Sequence, residues 1–184
     1  MHSLLIATSN NSKFRELRQL LGNGFMRADV SVDEIQSLDT ARIAKDKARK
    51  AYAAVGEPVI AEDTGLYVKE LGGYPGAMIK WVERMPYGYE RLCRFVDTCR
   101  SRAAYAETTL AFYDGKRLRA FTGTLHGRIA LHPAGKGFGW DVIFIPKGSE
   151  LTLGQMGQEA KNRISMRKEA CVKLKRYLAS NEFI

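Results

Sequence analysis

The order of the predicted elements in this 184-residue chain indicates a mixed α/β fold. Short apolar runs alternate with segments of helical periodicity in the first part of the chain, which is typical of strands connected by helices. Apolar and polar side chains then alternate on both sides of Asp114 and Gly115, as in a β-hairpin. Because the sequence has no repeat, linker or low-complexity segment, we expect one domain over residues 1–184, with two lobes about a cleft.

The first elements are two strand and helix pairs. A strand is predicted over residues 3–7, and a helix follows from Ser12 because apolar residues recur on one helical face until Gly22. Val30 and Val32 close a second predicted strand. Asp39 and Thr40 can then cap a helix that runs to about Val55, before Gly56 and Pro58.

The later elements include the hairpin and a long final helix. We predict a strand over residues 58–66, a loop over 72–76, a helix over 89–97, hairpin strands over 104–113 and 117–129, a strand over 142–145 and a helix over 163–178. These elements complete the mixed sheet.

Charge and composition narrow the classes of partner. The net charge of +9 predicts attraction to polyanions, and nucleic acid, an anionic membrane surface and a nucleoside triphosphate all qualify. No stretch approaches the roughly 20 apolar residues of a membrane span, so we expect a soluble protein without a membrane partner. The three cysteines have no metal-ligand spacing, which is typical of a cytoplasmic protein.

The turn from Thr8 to Lys13 is the first candidate binding site. It lies between a predicted strand and a helix, where unpaired N–H groups and a partial positive charge favour phosphate. The same residues are equally typical of a plain Ser or Asn helix cap. From spacing alone, both interpretations stay open.

Acidic residues at predicted strand ends form the second candidate. Glu62 and Asp63 follow an apolar run and precede Gly65, and Glu34 follows the neighbouring strand. Such carboxylates can hold Mg²⁺, which completes its octahedron with water and phosphate oxygens, and Mn²⁺ is an alternative. Solvated turns are the other interpretation.

Two further segments can recognise a base. Phe138, Gly139, Trp140 and Asp141 combine aromatic rings with an acceptor, which suits a planar base, although a core tryptophan explains the same pattern. Lys161 and Arg167, near the start of the last helix, can donate to a base carbonyl or a phosphate, or simply belong to a basic helix.

Taken together and in order, these segments resemble the inosine triphosphate pyrophosphatase family. The motifs that carry the resemblance are ATSNNSK, EDTGLYV with LGGYPGAMIKW, GFGWD and EAKNRISMR. The resemblance covers residues 6–167 and implies an elongated two-lobed α/β fold and a homodimer. It also implies hydrolysis of non-canonical purine triphosphates (ITP, dITP, XTP) to the monophosphate and pyrophosphate.

The resemblance assigns roles residue by residue. Glu34 corresponds to a metal-binding glutamate, and Asp63 to an aspartate close to the metal that acts as general base or water activator. The remaining implied roles are a triphosphate-binding motif at Thr8, Ser9, Asn10, Asn11, Ser12 and Lys13, phosphate contacts from Lys45 and Lys80, a substrate contact from Thr64, and a nucleoside pocket of Phe138, Gly139, Trp140, Asp141 and Lys161.

One position departs from the family pattern. Where the family has Ser-His-Arg, this chain has Ser165, Met166 and Arg167. The resemblance implies that the histidine and the arginine recognise the base. A thioether cannot donate to the six-keto oxygen of hypoxanthine or xanthine, so we expect Met166 to weaken that recognition.

Two other functions are compatible with parts of the sequence. A nucleic-acid-binding protein would use the same basic surface, although the chain has no recognisable DNA- or RNA-binding motif and we expect no specific nucleic-acid partner. A pyrophosphatase for modified pyrimidine triphosphates on a related fold would share the phosphate-binding residues.

Overall fold

The centre of the computed structural model, which describes residues 4–137 and 139–184, is a mixed seven-stranded sheet. Its strands are β1 (Leu4–Ala7), β2 (Phe25–Ala28), β3 (Val59–Val68), β4 (Pro75–Gly76), β5 (Ala103–Tyr113), β6 (Leu118–Ile129) and β7 (Phe144–Pro146). They lie in the order β2-β1-β3-β5-β6-β7, with β4 paired to β3. β1 runs parallel to β2 and β3, and the other pairs are antiparallel.

Six α-helices in the described residues pack around this sheet. They are α1 (Asn11–Leu21), α2 (Thr40–Val55), α3 (Ile79–Arg84), α4 (Gly88–Asp97), α5 (Gln158–Ile164) and α6 (Met166–Ser180). Short 3₁₀ helices cover Lys69–Leu71 and Gly139–Ile143. In the described part of the chain, no helix is both long enough and apolar enough to cross a membrane.

The two faces of the first half of β3 pack against different helices. Ile60 packs in a core with side chains of α1 and α6, whereas Ala61 packs against Ala44 and Ala48 of α2. This opposition follows from the alternation of side chains along a strand. Further along β3, Leu66 and Val68 belong to a different core, which includes residues of α3 and α4. The long strand β3 therefore spans both lobes.

Local sequence explains why α2 begins and ends where it was predicted. The Asp39 carboxylate accepts hydrogen bonds from the backbone N–H groups of Ala41 and Arg42, at 2.8 and 3.1 Å. Gly56 ends the helix with a φ of 73°, in the left-handed region that favours glycine. The hairpin of β5 and β6 also follows the predicted strands closely.

Three predicted elements were wrong in extent. The second strand ends at Ala28, where its pairing with Ala7 ends, and Val30 and Val32 lie beyond it. The first half of the predicted strand over 142–145 is 3₁₀ helix, so β7 begins only at Phe144. The final helix is two helices, because the extended backbone of Ser165 (φ −67°, ψ 145°) interrupts it.

Candidate active site

A cavity of about 540 Å³ lies between the two lobes, beside the carboxyl end of β1. It receives residues from the turn before α1, from β3, from α2 and α3, and from the start of α6. The predicted site residues that line it are Thr8, Ser9, Asn10, Lys13, Glu34, Asp63, Thr64, Lys80, Gly139, Trp140, Asp141, Lys161, Met166 and Arg167. Phe138 lies outside the described residues.

The turn before α1 is a helix cap that also faces the cavity. The Asn10 side chain accepts a hydrogen bond from the backbone N–H of Lys13 at 3.1 Å, and the backbone N–H of Asn10 donates to Thr8 Oγ1 at 3.1 Å. The cap interpretation is therefore correct, and it leaves the Lys13 ammonium directed into the cavity. Asn11 and Ser12 lie in α1 and are not among the described lining residues.

The register of the sheet explains why two adjacent carboxylates reach this cavity. Parallel pairing of β1 with β3 ends at Ala7 and Ala61, so Glu62 and Asp63 lie just beyond the end of β1. They are inside β3 and paired with β5, not at a strand end as predicted. Because neighbouring strand residues face opposite sides, Glu62 points toward α6 and Asp63 toward α2.

Glu62 is the anchor of a buried ionic network. Its carboxylate accepts two hydrogen bonds from the guanidinium of Arg167, at 2.8 and 2.9 Å, and its Oε1 lies 3.3 Å from the ammonium of Lys13. Burial alone would raise its pKa, but the charges of Arg167 and Lys13 outweigh this and hold the pKa well below the usual range. Glu62 is therefore ionised at neutral pH.

Asp63 has the opposite electrostatic character. Its Oδ2 is buried without a hydrogen-bond partner, and its Oδ1 lies 3.8 Å from the ammonium of Lys47. Burial, helped by the negative charge of Glu62, raises the pKa of this carboxyl to about 6, although Lys13 and Lys47 oppose the shift. A carboxylate with a pKa near neutrality is a better proton acceptor than an ordinary aspartate.

The lysine of α2 that lines the cavity differs from the one that the sequence predicted. Among the described residues, α2 contributes Lys47 to the cavity and not Lys45. Residues two apart on a helix lie on nearly opposite faces, and Lys47 shares the inward face with Ile43 and Ala44. The ammonium of Lys47 lies 2.7 Å from Glu34 Oε1, so it stands between the carboxylates of Glu34 and Asp63.

These two carboxylates fit a hard divalent cation. No group of three or more His, Cys, Asp and Glu is arranged to hold a metal within residues 4–137 and 139–184. Mg²⁺, however, needs only one or two protein carboxylates when phosphate oxygens and water complete its coordination. The unpaired, buried Oδ2 of Asp63 is the observation that supports the fit. Glu34 also forms an ion pair with Lys80, from the opposite wall.

The other end of the cavity is built around Trp140. This residue is 8% exposed and packs edge-on against Phe144, with ring centroids 5.8 Å apart, so it is a core residue as well as a lining residue. Asp141 is buried beside it and accepts a hydrogen bond from the ammonium of Lys161 at 2.7 Å. That ammonium also donates to Glu16 Oε1 at 2.8 Å.

The start of α6 brings Met166 and Arg167 to the same wall. A Cβ at Gly123 of β6 would lie 2.0 Å from the Met166 carbonyl oxygen, so the absence of a side chain there lets α6 approach the sheet. Met166 is 2% exposed and belongs to the core that contains Trp140. Arg167 is 3% exposed, and besides Glu62 it donates to Glu16.

Sequence reasoning missed four charged residues of the cavity or its ionic network. Glu16 follows Lys13 by three positions, so helical spacing could have placed both on one face of α1. Lys47 could have been found from the apolar periodicity of α2. Glu83 and Arg84 also line the cavity, but they belong to α3, which the sequence did not predict.

Known proteins share both the sequence pattern and this architecture. A family model described as the Ham1 family matches residues 4–177. The chain is 37% identical over 179 residues to a protein named dITP/XTP pyrophosphatase from Hyperthermus butylicus, which covers 95% of this chain and 94% of that protein. It is 36% identical over 185 residues to an inosine triphosphate pyrophosphatase from Kluyveromyces lactis, with 95% of each covered.

The structure of a HAM1 protein from Coxiella burnetii superposes with a TM-score of 0.86 at 26% identity, over 98% of this chain and 100% of that one. These matches confirm the family resemblance and the mixed α/β fold: the chain belongs to the Ham1 family.

Proposed function

We propose that this chain hydrolyses non-canonical purine nucleoside triphosphates, namely ITP, dITP and XTP, to the monophosphate and pyrophosphate. The observation that carries the proposal is the cavity described above, which combines lysines and a helix N-terminus at one end with Trp140 and Asp141 at the other. Its volume of about 540 Å³ is in the range for a small ligand. Relatives named for dITP, XTP and inosine triphosphate support the substrate class.

The triphosphate binds at the end of the cavity that contains α1. The N-terminus of this helix offers backbone N–H groups, and the side chains of Thr8, Ser9 and Asn10 line the same wall. Lys13, Lys47 and Lys80 add compact positive charges from three different elements. In the free protein each of these lysines is paired with a carboxylate. When the triphosphate binds, each ammonium group contacts a phosphate oxygen in place of that carboxylate.

Glu34 and Asp63 would hold the divalent metal ion, for which we propose Mg²⁺ with Mn²⁺ as the alternative. When bound, this ion would neutralise the negative charge of the triphosphate and the additional charge that develops on the leaving pyrophosphate.

Asp63 accepts the proton of the attacking water. The water oxygen bonds to the α-phosphorus, the bond from that phosphorus to the α,β-bridging oxygen breaks, and pyrophosphate leaves with the electron pair. At neutral pH Asp63 is ionised and can accept this proton, since neutral pH lies above its raised pKa of about 6 in the metal-free protein and a bound divalent ion would favour the carboxylate further. Glu62, with its lowered pKa, keeps Lys13 and Arg167 in position and does not take the proton. Thr64 donates to Glu62 Oε1 at 3.0 Å and supports this arrangement.

The purine lies at the Trp140 end, with Asp141 as an acceptor for its N–H edge. Lys161 and Arg167 are the nearest donors for a base carbonyl, and both are held by carboxylates. Met166 contributes apolar contact in place of a donor. We therefore expect discrimination against ATP to be weaker than a donor at this position would give.

A substrate panel tests the proposed activity. Steady-state kcat/KM for ITP, XTP and dITP should exceed that for ATP and GTP, with pyrophosphate as product in each case. Equal values for ITP and ATP would contradict the non-canonical specificity. Preference for a modified pyrimidine triphosphate would favour the related pyrimidine enzyme, and salt-dependent binding of oligonucleotides without pyrophosphate release would favour a nucleic-acid-binding protein.

The remaining properties are also proposals. We propose that the chain acts as one domain, assembles as a homodimer and works in the cytoplasm, where the nucleotide pool is available. Sedimentation of the purified protein tests the dimer directly, since a monomer at working concentration would contradict it.

A further inference from the structure

Arg84 is the positively charged residue of the cavity wall to which the proposed mechanism gives no role. It closes α3, one helical turn after Lys80, so the two side chains lie on the same face of that helix. Both residues line the cavity.

The other cations that line the cavity already have anionic partners. Lys13 and Arg167 pair with Glu62, Lys47 and Lys80 pair with Glu34, and Lys161 pairs with Asp141. Arg84, by contrast, makes no ion pair with any carboxylate in the described residues. An unpaired guanidinium in a cavity that accepts a polyanion is available to the ligand without first breaking an ion pair.

Trp81 fixes the direction of this guanidinium. The Arg84 guanidinium carbon lies 4.9 Å from the centre of the Trp81 ring, and the Lys80 ammonium lies 5.6 Å from the same ring. Stacking on an aromatic face restricts an arginine and leaves its N–H groups free at the edge of the guanidinium. Arg84 is also close enough to Lys80 that, after burial, its charge lowers the pKa of that ammonium. Two positive charges therefore converge on one side of the cavity.

We propose that Arg84 is an additional phosphate-binding residue, which contacts the terminal phosphates of the bound triphosphate and retains pyrophosphate after cleavage. This inference rests on the proposed function. The planar guanidinium can donate two parallel hydrogen bonds to phosphate oxygens, which a lysine cannot do. Pyrophosphate, the more highly charged product, is the ligand that loses most when Arg84 is removed.

Arg84→Gln tests the assignment, with Arg91→Gln as the matched control. Arg91 is exposed on α4, carries the same charge and is not among the described lining residues. For Arg84→Gln we expect KM for ITP and the inhibition constant of pyrophosphate each to rise by about tenfold, with a smaller change in kcat. Arg84→Lys should recover part of both effects. Unchanged constants, equal effects in Arg91→Gln, or a rise in KM without a rise in the pyrophosphate inhibition constant would overturn the assignment.

Calorimetric titration with pyrophosphate, with and without Mg²⁺, separates this inference from the proposed function. If the wild-type protein released no pyrophosphate from any triphosphate, the proposed function would fail. The titration would still decide the role of Arg84, because weaker binding in Arg84→Gln than in Arg91→Gln supports it and equal binding overturns it.

Discussion

Replacing Asp63 by asparagine should stabilise the metal-free protein while removing its activity. Burial raises the pKa of Asp63 from an ordinary value of 3.8 to about 6 in the folded state. A shift of this size corresponds to about 3 kcal/mol of folding free energy, which is fully present below the unfolded pKa and lost as pH rises through the folded pKa. Asparagine has the size of the neutral form and never ionises, so it avoids this cost.

The difference in unfolding free energy between Asp63→Asn and the wild-type protein should increase with pH. The advantage of Asp63→Asn over wild type should be small near pH 4, grow by about 2 kcal/mol between about pH 4.5 and 7.5, and then level off. Urea unfolding in a chelating buffer at several pH values measures it. Asp29→Asn is the control, because this exposed aspartate pairs with Arg27 at 3.0 Å and its replacement should change stability by under about 1 kcal/mol.

The same variant should lose at least about a hundredfold in kcat if Asp63 accepts the proton. Loss of activity with unchanged or increased stability would separate a functional role from a folding defect. If Asp63→Asn instead destabilised the metal-free protein at neutral pH, the description of Asp63 as a carboxylate whose burial costs folding free energy would be wrong.

Three further substitutions test other parts of the site. Lys47→Gln should lower kcat/KM for ITP by about tenfold to a hundredfold, because it removes a charge-assisted phosphate contact. The control variant Lys45→Gln should remain within about twofold of wild type. Similar losses in both variants would contradict the assignment of Lys47 as the phosphate-binding lysine of α2. Met166→His should raise the ratio of kcat/KM for ITP over ATP by about tenfold, since it adds a hydrogen-bond donor where we expect the base to bind. An unchanged ratio would show that the residue at this position does not contribute to base recognition. Gly123→Ala should lower the free energy of unfolding in urea by about 1–3 kcal/mol, because the added Cβ pushes α6 away from the sheet. Gly24→Ala should lower it less, since nothing lies within 4 Å of an added Cβ there. Equal losses in the two variants would contradict the close packing of α6 at Gly123.

The parts of the fold predicted well from sequence were those with strong local signals. The cap of α2 at Asp39 and the hairpin over β5 and β6 follow from capping chemistry and from strict alternation, which do not depend on distant contacts. The break at Ser165 was missed although it carries a local signal, because the Ser165 hydroxyl accepts a hydrogen bond from the backbone N–H of Lys168 and caps α6. The short helix α3 was missed because it has only six residues and no side-chain cap.

The site residues likewise divide into those that motifs identified and those that only the fold brings together. The turn before α1, Asp63 and Trp140 were identified from motifs, and the structure brings them to one cavity. Lys47 was missed in favour of Lys45 because a resemblance in sequence does not specify which face of a helix points inward. Glu16 could not be assigned from a motif, since its partners Lys161 and Arg167 are far away in sequence and only the fold brings them together.

Hydrolysis of ITP in ¹⁸O-labelled water is the most direct test of the proposed reaction. If water attacks the α-phosphorus, the label should appear in inosine monophosphate, in a single oxygen, and the pyrophosphate should remain unlabelled. Label in pyrophosphate, or release of labelled inorganic phosphate together with inosine diphosphate, would contradict it.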